Sequence, residues 1–172
     1  RQCNADDVLG IDIEPGNIRL AQDLVNRHRR GGHIAFQLVE PGPMPLAENS
    51  AGVIFTKEAL CHIEDRAPVF ADFYRVLQPG GHFIGSDWMT GSEVANSVAY
   101  GAWEDQLRSA GLSFTFTSMA AHREGLLAAD FEQVEVTDDT AWTIEHGEGY
   151  VERLHGPDRP RMLELLGEDG LA

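Results

Sequence analysis

Twelve residues constrain this chain more than any others: Val76-Leu-Gln-Pro-Gly-Gly-His-Phe-Ile-Gly-Ser-Asp87. Ahead of them and into their first turn, apolar Val69, Phe70, Phe73, Val76 and Leu77 recur at helical spacing. Pro79 cannot continue a helix, and Gly80 and Gly81 reach backbone angles closed to other residues. The apolar run at 81–87 is short and follows at once, which predicts a buried strand. A helix, a sharp turn and a strand in immediate succession are the building unit of alternating α/β domains.

The same punctuation recurs along the chain. Residues 8–13 form a short apolar run of strand length, and Pro15-Gly16-Asn17 predicts a turn with Asn17 as a helix N-cap. Ile18, Ala21, Leu24, Val25 and His28 then follow at helical spacing, up to a stop at Gly31-Gly32. Residues 33–39 predict a second strand, ended by Pro41-Gly42-Pro43, and residues 52–56 a third. Glu64-Asp65 opens the helix that leads into the Pro-Gly-Gly turn. Helices are predicted over 93–110 and 117–129, a fifth, alternating strand over 131–137, and two tail helices over 143–166 broken at Gly156-Pro157. The expectation is one α/β domain spanning residues 1–172, with a mostly parallel sheet flanked by helices.

Composition removes several function classes. Lysine plus arginine number 13 against 28 acids, a formal net charge of −15, whereas a nucleic-acid backbone demands a basic face. An acidic surface tolerates a cationic substrate. With 42% hydrophobic and 24% charged residues the chain has a globular composition. No apolar run approaches the roughly 20 residues that span a bilayer, and there is no signal-peptide pattern. Cys3 and Cys61 make neither a disulfide framework nor a zinc pattern, so no metal is expected and reduced thiols in a cytoplasmic setting are. The opening Arg1-Gln-Cys-Asn lacks an initiator methionine, which predicts a processed, trimmed or incomplete product.

Ligands of open parallel sheets bind beyond the carboxyl ends of strands, where an acid can take two ribose hydroxyls. Asp12 ends the first predicted strand and Glu40 the second, and each also reads as a solvated or capping carboxylate. After the third strand comes Thr56-Lys-Glu-Ala-Leu-Cys-His-Ile-Glu-Asp65. Glu58 and His62 lie four apart and would share a face of a helical turn. A carboxylate there can hold a cationic amine, and a neutral imidazole can take its proton. Trp88, Tyr100 and Trp103 follow the fourth strand. They suit either core packing or an aromatic wall for an ammonium group, at roughly 0.5–2 kcal/mol per ring.

Gly10-Ile-Asp-Ile-Glu14, the acid at Glu40, Phe55-Thr-Lys-Glu-Ala-Leu-Cys-His-Ile63 and Leu77-Gln-Pro-Gly-Gly with Ser86-Asp87 resemble, in order and spacing, class I S-adenosylmethionine (SAM) methyltransferases. The resemblance runs from about residue 8 to 137, and its nearest branch is the small-amine group, the phosphoethanolamine and sarcosine/dimethylglycine N-methyltransferases. It implies a Rossmann-like sheet, SAM as cofactor and a small-molecule amine as substrate. It also implies roles: Asp12 on the ribose, Ile13 against the adenine, Glu40 on the adenine amine, Thr56 and Lys57 at the methionine end, Glu58 on the amine, and His62 as base. Trp88 and Tyr100 would contact substrate. Family members carry a strand and a Gly-x-Gly-x-Gly loop ahead of the segment that opens this chain, and usually a closing strand after its end. The resemblance thus implies a sheet incomplete against the usual seven strands. A gap would be closed by direct pairing of the remaining strands, by a strand from another chain, or by a homo-oligomer. Arg108 is the nearest base to 112–117, where the phosphobase branch holds its phosphate, so a plain or carboxylated amine fits better. The alternative is an inactive methyltransferase-like fragment or interaction domain. A nicotinamide-dependent oxidoreductase is disfavoured by the Pro-Gly-Gly turn and the lack of a Tyr-x-x-x-Lys pair.

Overall fold

Short apolar runs bounded by proline and glycine form four strands among the described residues. The computed structural model describes residues 7–27, 33–91 and 97–166, and the chain divides into two compact units, residues 1–134 and residues 135–172. The predicted helix stop at Gly31-Gly32, with His28, lies outside the described residues, as do Cys3 and residues 93–96 of the predicted third helix.

In the first unit, β1 (Val8–Asp12) and β2 (Ile34–Leu38) pair in parallel from Val8 opposite Ile34 to Asp12 opposite Leu38. The helix between them, α1 (Pro15–Arg27), begins two residues before the predicted cap. Pro15 takes the first helical position, where its missing N–H costs nothing. The Glu14 side chain accepts from Gly16 N at 3.0 Å, while Asn17 Nδ2 donates to Asp12 Oδ2 at 3.0 Å. Glu14 is therefore the cap, and Asn17 braces Asp12 instead.

β3 (Ala51–Lys57) and β4 (Leu77–Ser86) form a second parallel pair, joined through a 3₁₀ turn at Leu60–His62 and α2 (Ala67–Val76). Ala51 opposes Leu77, but Val53 opposes His82, so the Pro-Gly-Gly turn is looped out at the start of β4. Gly80 has φ +77, the left-handed region. At Gly81 a Cβ would lie 2.9 Å from the Gln78 carbonyl oxygen and 3.0 Å from that of Gly52. The two strand pairs are separate sheets. Direct pairing between them, one of the three ways to complete the sheet, is not adopted among the described residues.

One face of β3–β4 carries Ile54 and Phe83 onto a core of Leu60, Phe70, Phe73 and Leu126. The other face leaves Val53, Phe55 and Ile84 exposed. α2 presents its predicted inner face: Phe70, Phe73, Val76 and Leu77 are buried, and Val69 packs at the edge. Arg75 donates to the carbonyls of Leu46 and Met44 and pairs with Asp72 at 2.7 Å, which lays the 44–50 loop along α2. α3 (Val98–Ser109) and α4 (Met119–Ala128) follow, each with a serine N-cap, Ser97 and Ser118. α4 approaches α2 closely at Gly125, where a Cβ would meet the Phe70 ring at 2.9 Å. The predicted fifth strand at 131–137 does not form. Gln133 has φ 54, which breaks the extended run between Phe131 and Val134, and those two side chains pack on the core instead.

The second unit contains α5 (Thr140–His155) and α6 (Arg159–Leu166), divided at Gly156-Pro157 as predicted. The Thr140 hydroxyl and then its backbone N–H, which donates to Asp138 Oδ1 at 2.9 Å, hold the Asp138 carboxyl below the usual range.

Gly81→Ala is expected to cost about 1–3 kcal/mol, because two carbonyl oxygens have no room to retreat. Gly80→Ala should cost about 1–2 kcal/mol for its left-handed angle. Urea unfolding followed by circular dichroism measures both; wild-type midpoints in both variants would contradict the looped-out turn.

Candidate functional site

The carboxyl ends of the parallel strands carry the polar groups that the sequence singled out. At the end of β1, Asp12 Oδ1 accepts from Glu14 N at 2.8 Å and Oδ2 from Asn17. Val39 N donates to Asp12 O at 3.0 Å, so the segment leading to Glu40 runs beside Asp12. Glu40 is exposed, and Ile13 stands 60% exposed next to Asp12. At the end of β3, Thr56 lies opposite Gly85, and its Oγ1 is buried with no hydrogen-bond partner among the described residues.

Beyond Thr56 the backbone departs from the expected helical turn. Glu58 has φ 52, an uncommon left-handed angle for a side-chain-bearing residue that costs about 1–2 kcal/mol. Its N–H donates to Ser86 O at 2.8 Å. Only Leu60–His62 are helical, and as a 3₁₀ turn. Glu58 is thus outside the turn that carries His62, and the shared helical face does not exist. The Glu58 carboxylate lies 3.7 Å from Lys57 Nζ, both exposed.

Asp87, just past the end of β4, holds this turn. Its carboxylate accepts from Leu60 N at 2.7 Å and Cys61 N at 3.2 Å, and its Oδ1 also accepts from Trp88 N at 2.8 Å. Leu60 and Cys61 are buried. Burial, with the Asp87 carboxylate beside it, pushes the Cys61 thiol up to about 12. A carboxylate 26 residues from the amides it caps leaves no local sequence pattern, so the motif's final aspartate carried no expected role.

A third stretch lies across the turn. Thr115 N donates to Cys61 O at 2.7 Å, and His62 Nδ1 lies 2.9 Å from Ser113 O. Arg66 donates from Nε to Leu60 O at 2.9 Å and from Nη2 to Thr115 O. The Phe114 ring packs on the His62 imidazole with centroids 4.7 Å apart. Phe114 stacks on Phe116, Phe116 on Trp103, and Trp103 contacts Tyr100, at 5.2, 5.4 and 5.8 Å. Sequence reasoning placed Tyr100 and Trp103 in an aromatic wall but missed Phe114 and Phe116. The alternation Phe-Thr-Phe was the available signal. Trp88 is half exposed and joins no ring contact among the described residues. Tyr100 is shifted upward by burial and then by the Glu104 carboxylate, which keeps its hydroxyl protonated. No cluster of metal-ligating side chains occurs among the described residues. No described helix is long and apolar enough to cross a membrane.

Residues 1–85 match the family model described as a methyltransferase domain. The chain is 25% identical over 96% of its length to methyltransferase GfsG of Streptomyces halstedii, of which it spans 57%. It is 30% identical over 81 residues, 47% of its length, to phosphoethanolamine N-methyltransferase 1 of Triticum aestivum, and spans 16% of that protein. Among solved structures it superposes on Haemonchus contortus phosphoethanolamine N-methyltransferase 2 in complex with SAM, at a TM-score of 0.84 and 19% identity. That superposition covers 96% of this chain and 36% of the other. The fold is therefore α/β and Rossmann-like, with parallel strands flanked by helices. The chain spans less than two thirds of these relatives.

In a Cys3→Ser background, Cys61 should resist iodoacetamide at pH 8 until the protein unfolds. Its raised pKa makes folding stability fall as pH rises from 9.0 toward about 12, because the unfolded thiol ionises first. Rapid native-state alkylation would contradict the buried, Asp87-flanked thiol.

Proposed function

We infer that this chain, whose residues 1–85 match the model of a methyltransferase domain, binds SAM and methylates a small amine. The observation that carries the reading is the set of acceptor groups at the strand ends. Asp12 is braced on both carboxylate oxygens by Glu14 N and Asn17, each oxygen keeping a lone pair for a ribose hydroxyl. Glu40 sits beside it for the adenine amine, and exposed Ile13 offers an apolar surface for the ring. Thr56 Oγ1, buried and without a partner among the described residues, suits the methionine end together with Lys57. This donor and acceptor set fits the cofactor without a metal.

When bound, SAM supplies an electrophilic methyl group. The chain's own work is to align the amine, exclude water and remove a proton. His62 is the base, through Nε2, since Nδ1 faces a carbonyl. Glu58 holds the ammonium. Its exposed pair with Lys57 is weak, worth about 0–1 kcal/mol, so a substrate cation can take the place of the Lys57 ammonium. Trp88 and Tyr100 give aromatic surface to the amine. Arg108 lies 3.4 Å from Asp105 on an exposed helix face, which favours a plain or carboxylated amine over a phosphorylated one. The phosphoethanolamine methyltransferases among the similar proteins support an amine acceptor.

A second reading rests on the separate sheets. Among the described residues β1 pairs only with β2 and β3 only with β4, and Val53, Phe55 and Ile84 are exposed. A non-catalytic fragment completed by another chain would use those edges.

Titration calorimetry with S-adenosylhomocysteine tests the first reading. Binding is expected, with Asp12→Ala weakening it about tenfold or more, a loss of ~1.4 kcal/mol or more. No binding, or identical binding by Asp12→Ala, would sink it. Size-exclusion chromatography with light scattering separates the second: a ligand-binding monomer opposes it, and an assembly that binds no cofactor supports it.

A further inference from the structure

We propose that residues 113–117 are a clamp that fixes His62 as a single tautomer, with the proton on Nδ1 and the lone pair on Nε2. The proposal deepens the preceding reading and rests on His62 as the base. A backbone carbonyl only accepts hydrogen bonds, so the 2.9 Å contact from His62 Nδ1 to Ser113 O requires hydrogen on Nδ1. In the neutral ring the other nitrogen is then the base. No protein group bonds Nε2 among the described residues, and His62 is exposed. A free imidazole in water prefers the opposite tautomer, which would turn the acceptor nitrogen onto the carbonyl and leave the outward nitrogen unable to take a proton.

The carbonyl is held in place by more than its own contact. Thr115 N bonds Cys61 O, and Thr90 N bonds Thr117 O at 3.0 Å, so the clamp is tied at both its middle and its end. Arg66 grips both backbones at once, Leu60 O on the turn that carries His62 and Thr115 O on the clamp. Phe114 lies over the imidazole with the ring planes 32° apart, and the stack through Phe116 to Trp103 backs it from α3. Rotation of the imidazole away from Ser113 O would break the hydrogen bond and the ring contact together. Arg66 and Phe114 are positioning residues: neither supplies the proton acceptor, and both determine which nitrogen does.

Long-range proton–nitrogen NMR on the full chain reads the tautomer directly, with the His62 signals assigned by comparison with His62→Gln. The spectrum is recorded at a pH where that imidazole is neutral by its own signals. The expected wild-type pattern is one tautomer, protonated at Nδ1. Arg66→Lys keeps the charge but cannot span both carbonyls, and Phe114→Leu keeps apolar bulk without the ring. Each should give a mixed or Nε2-protonated pattern and lower kcat at least about tenfold with KM little changed, using ethanolamine and sarcosine as probe amines. Circular dichroism confirms that the variants fold; either folded variant suffices. An Nε2-protonated wild type, or a retained Nδ1 pattern in both variants, overturns the clamp. Unchanged transfer in His62→Gln instead defeats the base reading and leaves the tautomer result standing.

Discussion

The Asp87 carboxylate meets two buried backbone amides, and the architecture around β3 and β4 turns on that meeting. The 3₁₀ turn at Leu60–His62 places Leu60 in the core with 2% exposure and Cys61 with none. Its first amides have no partner within the turn, and a buried amide left unpaired costs about 1–3 kcal/mol. A charged acceptor at 2.7 Å removes that penalty and draws the turn against the end of the neighbouring strand. Everything later in the site hangs from the turn's carbonyls. Leu60 O receives Arg66, Cys61 O receives Thr115, and the His62 ring reaches Ser113.

Core and site are consequently one structure. Phe70 packs against Leu60 from α2 and meets the His122 ring edge-on from α4. His122 is buried, and burial followed by the Arg66 charge holds its pKa down, so it packs as a neutral ring. Arg66 therefore acts on two sides, fastening the clamp through hydrogen bonds and adding to the burial that lowers the His122 pKa. The apolar surface that makes α2 a helix is the same surface that seats the turn carrying His62.

Much of the scaffold was legible because its signals are local. The first three strand-length apolar runs and the inner face of α2 follow from neighbours in the chain and stand where expected, while β4 begins at Leu77, ahead of the Pro-Gly-Gly turn, and not at Gly81. The helix cap moved from Asn17 to Glu14 because two adjacent polar residues competed, and Asn17 found Asp12. The strand at 131–137 was misread because alternation says nothing of φ, and Gln133 adopts 54°. At the site, residue types at strand ends could be named. Their arrangement could not, since Glu58 turns left-handed and the contacts to Asp87, Ser113 and Thr115 join residues far apart in sequence.

The looped-out Pro-Gly-Gly turn separates two mechanical elements that are continuous in the chain. Upstream of it, Leu77 caps the C-terminus of α2 and opposes Ala51 of β3; downstream, the alignment of β4 is dictated by its pairing with β3 from Val53 opposite His82 onward. The turn between them is closely packed, with Gly81 against the carbonyl oxygens of Gln78 and Gly52, and Asp87 is indexed to β3 through the β4 register. The turn that carries His62 and the carboxylate that grips it thus share one frame of reference, the β3–β4 pair, and Arg66 at the start of α2 ties the helix into that same frame.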